Sequence, residues 1–146
     1  MSKQVLDVQQ MQHLQELGFD TINASMLYCD LYDEEHILVE RKHRFDKEEN
    51  AIVLDGVRDS VIYCKKVTPA YTLQDVLDAL PASIGYGRKL YVLKLDMLNK
   101  IICYRDTASD DTLVFVKFME IPLIDAAYSM LCWAIDNKFV ETNKNE

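Results

Sequence analysis

The segment PAYTLQDVLDALP, Pro69 to Pro81, carries a helix start, an apolar stripe and a helix stop in immediate succession. Thr72 is placed to cap the orphan backbone N–H groups, and Asp75 stands three residues on, in capping-box position. Leu73, Val76, Leu77 and Leu80 fall at i, i+3, i+4 and i+7, one face of a 3.6-residue period, and Pro81 ends the run by disfavouring a helical Leu80. A helix therefore stands between two β-rich regions.

Two further helices follow from the same signals. Val8, Met11, Leu14 and Leu17 recur at three-residue steps with Gly18 as a left-handed stop, which predicts a helix over about Asp7 to Leu17. Pro122 suits the first helical position, and Ile124, Ala127, Leu131, Ala134 and Ile135 share one face as far as about Lys138. Leu123, Tyr128, Met130 and Trp133 widen that stripe, so this helix either lies deep in the fold or offers Tyr128, Met130 and Trp133 as an interaction surface.

The intervening runs are rich in β-branched and aromatic residues. SMLYCDLY and HILVERKHRF flank Asp33-Glu34-Glu35 as a hairpin, and AIVLD and SVIYCKKV form a second around Gly56-Val57-Arg58-Asp59. After the central helix, SIGYGRK reads as a connector leading into LYVLKLDM, IICYRD and TLVFVKF, a three-strand meander. Within LYVLKLDM, Tyr91, Leu93 and Leu95 face one side and Val92, Lys94 and Asp96 the other. The expected fold class is α+β, with antiparallel sheet packed against helices on one face in the order α-ββ-ββ-α-βββ-α. It occupies residues 1–140 as one domain, and 141–146 form a flexible C-terminal tail.

Charge and cysteine usage narrow the function classes. With 24 acidic against 16 basic residues the net charge is −8, a balance that disfavours binding through phosphate neutralisation, so nucleic acid is an unlikely ligand. Solubility is the simpler cause of that acidity, and a basic partner the sharper one. Cys29, Cys64, Cys103 and Cys132 form no CxxC pair and sit in apolar segments, which reads as buried free thiols in a reducing cytoplasm. No apolar run approaches a membrane span. A cytoplasmic protein without a membrane role, open to a protein partner or to homo-oligomer formation, is the expectation.

No local motif carries chemistry. His36 and His43, near Asp33, Glu34, Glu35 and Glu40, are an odd number of residues apart, so on a continuous strand their imidazoles point to opposite faces and hold no metal together. The glycines and cations of GYGRK make Arg88 and Lys89 the candidate ligand-binding residues, but the stretch lacks the ending and the strand-to-helix order of a phosphate-binding loop. The serines lack a nucleophile elbow, and Cys103 and Cys132 lie where burial would leave a thiol inert. Asp110 and Asp111 read as solvated. Tyr28, Tyr63, Tyr91, Tyr104, Phe115 and Trp133 read as core. No catalytic residue, cofactor or metal site is assigned.

MQHLQELGFD, PAYTLQDVLDALP and LIDAAYSMLCWAIDNKFV, at Met11–Asp20, Pro69–Pro81 and Leu123–Val140, resemble in order and spacing a loose family of small uncharacterised proteins of phages and mobile elements in Bacteroidetes-type bacteria. The resemblance does not extend over Tyr28 to Lys66. That family has no assigned activity, so the resemblance implies an origin and no site. The expected function is a non-enzymatic protein-interaction module; the alternative is a small-ligand-binding or enzymatic domain with a pocket between sheet and helices, drawing on Arg88, Lys89, His36 or Tyr104.

Overall fold

The computed structural model describes residues 3–32, 36–40, 44–46, 51–53 and 61–142. These form an α+β fold of antiparallel sheets and helices. In chain order the elements are α1 (Val8–Glu16), β1 (Met26–Asp30), β2 (His36–Glu40), β3 (Arg44–Asp46), β4 (Ala51–Val53), β5 (Val61–Tyr63), β6 (Lys66–Ala70), α2 (Leu73–Ala79), β7 (Ser83–Tyr86), β8 (Lys89–Asp96), β9 (Ile101–Asp106), β10 (Thr112–Lys117) and α3 (Leu123–Asp136). The sheets run β2-β1-β6, β3-β4-β5 and β10-β9-β8-β7.

The helix boundaries follow from their caps. Asp7 caps α1 through the Gln10 N–H, and Gly18 takes a positive φ just past its end. In α2 the Thr72 hydroxyl accepts from the Asp75 N–H at 3.2 Å while the Asp75 carboxylate accepts from the Thr72 N–H at 3.0 Å. Leu80 is already extended, as the proline after it requires. The same Asp75 carboxylate accepts from the Ser25 N–H at 2.8 Å and the Ser25 hydroxyl at 2.5 Å, tying α2 to the approach of β1. At the start of α3, Asp125 accepts from Lys3 Nζ at 2.7 Å and Gln10 Nε2 at 2.9 Å, which fastens the N-terminal segment and α1 to α3. An acid in this first turn also complements the helix dipole.

Three strand expectations need correction. SIGY is no connector: β7 pairs with β8, with Tyr86 opposite Lys89, so the meander has four strands. The two-residue turn Gly87-Arg88 explains it, because Gly87 at φ +64 supplies the first position of a hairpin turn that suits strand twist. SVIYCKKV is two strands, β5 pairing with β4 and β6 with β1. Pro69 lies in β6, and an edge strand tolerates its missing N–H. HILVERKHRF likewise divides into β2 and β3. The expected first hairpin is present, with Cys29 opposite Ile37 on β2 and Val67 on β6.

The cysteines are also corrected. Cys29 and Cys64 are joined as a disulfide with Cα atoms 5.6 Å apart, and only Cys103 and Cys132 are free. Both bonded residues are fully buried in a small cluster with Leu31, Ile37, Val39 and Val67. The main core lies between the four-stranded sheet and the helices, where Ile102, Tyr104, Ile124, Ala127, Met130 and Leu131 are enclosed. Tyr104 extends its hydroxyl to the Pro81 carbonyl at 2.7 Å, joining β9 to the end of α2.

Two outcomes follow for stability. Thiol titration of the urea-unfolded protein without reductant should find two thiols rather than four; reduction, with 35 residues separating the bonded cysteines, should cost roughly 3–4 kcal/mol. Reductant should leave a Cys29→Ala/Cys64→Ala variant unchanged. For Asp75, burial works to raise the carboxyl, but the hydrogen bonds from Ser25 and Thr72 outweigh it and hold the group below its ordinary 3.8. A depressed folded value means stability present above the unfolded value and lost as pH falls through the folded one. Asp75→Asn should therefore cost about 1–2 kcal/mol near neutrality and converge with the parent in acid. A gap that is constant with pH would contradict this assignment.

Candidate interaction surface

Strand alternation gives the four-stranded sheet two faces of different chemistry. Leu93, Tyr104 and Val114 lie side by side across β8, β9 and β10, as do Leu95, Ile102 and Val116. Most of these residues belong to or pack against the main core, so their face is the inner one. The rows between them face outward: Val92–Arg105–Thr112, Lys94–Cys103–Phe115 and Asp96–Ile101–Lys117. Phe115 is 53% exposed, and Met119, just beyond β10, is 74% exposed.

Side chains on this outer face shield one another. Cys103 points away from the main core yet is fully buried, flanked in its row by Lys94 and Phe115. Burial pushes its thiol up; Arg105 and Lys94 pull the other way, Asp96 adds to the rise, and the net direction is upward. The thiol is thus held in its unreactive protonated form, as its apolar segment led one to expect. Burial likewise raises Cys132, against a hydrogen bond with Tyr128 that lowers it.

A groove of about 420 Å³ opens on the outer face between Asn99, Ile101, Thr112, Phe115, Lys117 and Met119. Next to it, Lys117, Met119, Glu120 and Ile121 line a second hollow of about 430 Å³. The β8–β9 turn ends the same sheet with Leu98, 91% exposed, and Met97 beside it. Three cations, Lys94, Arg105 and Lys117, stand on the outer rows against the single carboxylate of Asp96. That carboxylate is engaged by Asn99, whose N–H and Nδ2 donate to it at 3.1 and 2.8 Å. Arg105 Nε is buried without a hydrogen-bond partner.

The residues singled out from sequence lie elsewhere. Arg88 and Lys89 are exposed at the β7–β8 turn, and Lys89 pairs with Asp111. They do not meet Tyr104, which is buried on the inner face. Of the three residues of α3 offered as an interaction surface, Met130 is fully buried, while Tyr128 and Trp133 are half-buried, Tyr128 edge-on to His13 with centroids 6.3 Å apart and Trp133 between Tyr104 and Phe139 at 6.1 and 5.4 Å. The wide stripe of α3 serves the interior. Of the aromatics read as core, Tyr91 and Tyr104 are buried, whereas Tyr63 and Phe115 are exposed. His43 and the side chain of His36 lie outside the described residues, as do Asp33, Glu34 and Glu35. No cluster of three or more His, Cys, Asp or Glu side chains able to hold a metal occurs among the described residues.

No family model, curated protein or solved structure matches the chain. The outer face sets aliphatic, thioether and aromatic surface beside cations, with a thiol held protonated and no histidine on its rows. Because Phe115 contributes to this surface and not to the core, Phe115→Ser should change unfolding free energy by less than about 1 kcal/mol, whereas Ile102→Ala should cost about 2–5 kcal/mol. Urea unfolding of both variants measures this; equal losses would place Phe115 in the core.

Proposed function

We propose that this chain is a non-enzymatic protein-interaction module that receives its partner on the outer face of the four-stranded sheet. The observation carrying this reading is the exposure of Phe115, Met119, Leu98 and Met97 at one end of a sheet whose other face packs against the main core. Phe115 and Met119 share one groove, and exposed apolar surface of this kind, rimmed by charge, is a mark of binding sites. A pocket between sheet and helices has less support, because Ile102, Tyr104, Met130 and Leu131 fill that space.

A phage or mobile-element origin, which rests on the resemblance of three segments alone, suits a small module acting through a host or element-encoded protein. No helix among the described residues is long and apolar enough to cross a membrane. For the compartment, the disulfide weighs against a reducing cytoplasm and favours an oxidising one, since such bonds persist there.

Affinity capture from the source cell's lysate, under non-reducing conditions and with Phe115→Ser as the matched control, tests the proposal together with sedimentation. A partner retained by the parent and lost by the variant is the expected result. A monomeric protein with no partner that depends on Phe115 would contradict it.

A further inference from the structure

We infer that the partner docked on the outer sheet face is an acidic protein segment that inserts an apolar anchor side chain into the groove beside Phe115. This rests on the reading of the face as a protein-interaction surface and adds the chemistry of the occupant. The first argument is charge complementarity. The outer rows carry Lys94, Arg105 and Lys117 against Asp96, and with Glu120 at the adjoining hollow counted the face still holds three cations to two carboxylates, a local excess of positive charge on a chain whose net charge is −8. Complementary potentials orient encounter and reject wrong partners, so a cationic patch on an acidic molecule selects for acidic partners.

The second argument is shape. The groove between Ile101, Phe115 and Met119 holds about 420 Å³, room for an aliphatic or aromatic side chain, and Lys117 stands on its wall. Methionine is a polarizable, adaptable lining for such an anchor. An acidic residue on either side of the anchor would then fall within reach of Lys117 and of Lys94, which stands beyond Cys103 in the Phe115 row.

Two physical points favour a short acidic segment over a nucleic acid. A base-stacking platform presents several rings in succession, whereas Phe115 is the only aromatic on the outer rows, with Cys103 beside it and Ile101 and Met119 across the groove. A long polyanion also extends past the patch onto an acidic surface, while a short segment feels mainly charges within a Debye length of about 8 Å. The mode of docking follows from the strand edge. The free edge of β10 is interrupted by an irregularity between Thr112 and Val114 and closed by Lys117, both devices that discourage addition of another strand. The partner therefore lies across the face.

Selection of displayed random twelve-residue peptides on the immobilised full chain, with counter-selection on Lys94→Glu/Lys117→Glu, tests the inference. Both substituted residues are exposed and outside the core, so matched thermal midpoints can certify folding. Enriched peptides should carry Asp or Glu flanking Leu, Ile, Met or Phe. They should bind the double variant and Phe115→Ala at least about tenfold more weakly, and weaken with added salt. Failure to enrich, enrichment of basic or neutral peptides, or equal binding to the charge-reversed variant would overturn it. Tighter binding of oligouridine than of any peptide would assign the face to nucleic acid, and binding only to phosphatidylserine vesicles would assign it to a membrane surface. Capture of a cellular protein that Phe115→Ser abolishes but charge reversal leaves intact would refute the acidic partner while preserving the interaction reading.

Discussion

Every residue of an antiparallel strand must face one side of its sheet or the other, and the main core of this chain draws on only one face of its four-stranded sheet. On β9 this division separates Ile102 and Tyr104, which enter the core, from Ile101, Cys103 and Arg105, which face outward. The inner rows organise the domain: they position Tyr104 to reach Pro81 at the end of α2, and they meet the apolar stripe of α3. The outer rows mix the polar Lys94, Asp96, Arg105, Thr112 and Lys117 with the apolar Val92, Ile101 and Phe115 around a buried Cys103. Of the apolar three, Val92 and Ile101 are half-buried while Phe115 is exposed, and that exposed ring is what the proposed function explains.

Electrostatics sharpen the same picture at shorter range. The net charge describes the molecule at a distance, but screening at physiological salt confines the influence of an exposed charge to about 8 Å. On that face Lys94, Lys117 and Arg105 stand against the carboxylates of Asp96 and, at the neighbouring hollow, Glu120. Asp96, the acid on those rows, is already engaged by Asn99. The second sheet contributes a different kind of constraint. Cys29 and Cys64 lie in a cluster too small to resemble the main core, and a covalent tie there limits how far β1 and the chain before β6 can separate when the fold opens.

Much of the scaffold was legible because its signals are local. Thr72, Asp75 and Pro81 mark α2 within a few residues, Gly18 stops α1, and the alternation of Tyr91 to Asp96 gives the correct faces of β8. Where the signal needed a distant partner, it failed. SIGY is four residues long and broken by Gly85, so its β signal is weak, and its strand forms because Gly87 turns it back onto β8. The Cys29–Cys64 pairing depends on β6 returning to β1, which spacing along the chain does not encode. The surface was least visible of all. LVFV is apolar at every position, so period two has no phase to read, and the irregularity between Thr112 and Val114 shifts whatever phase exists. Its sequence context therefore points Phe115 to the core, where the structure does not place it. The stripe of α3 posed the reverse problem, since a wide apolar face looks the same whether a partner or the chain itself covers it; here Met130 is enclosed by the chain.

The central claim, that one sheet face closes the core while the other presents apolar surface to solvent, is tested most directly by hydroxyl-radical footprinting of the native protein with residue-level mass spectrometry. Met119, Met97 and Phe115 should be oxidised rapidly, and Met11, Met130 and Tyr104 protected until the protein unfolds. Protection of Phe115 and Met119 in the monomer, or early oxidation of Met130 and Tyr104, would contradict the account.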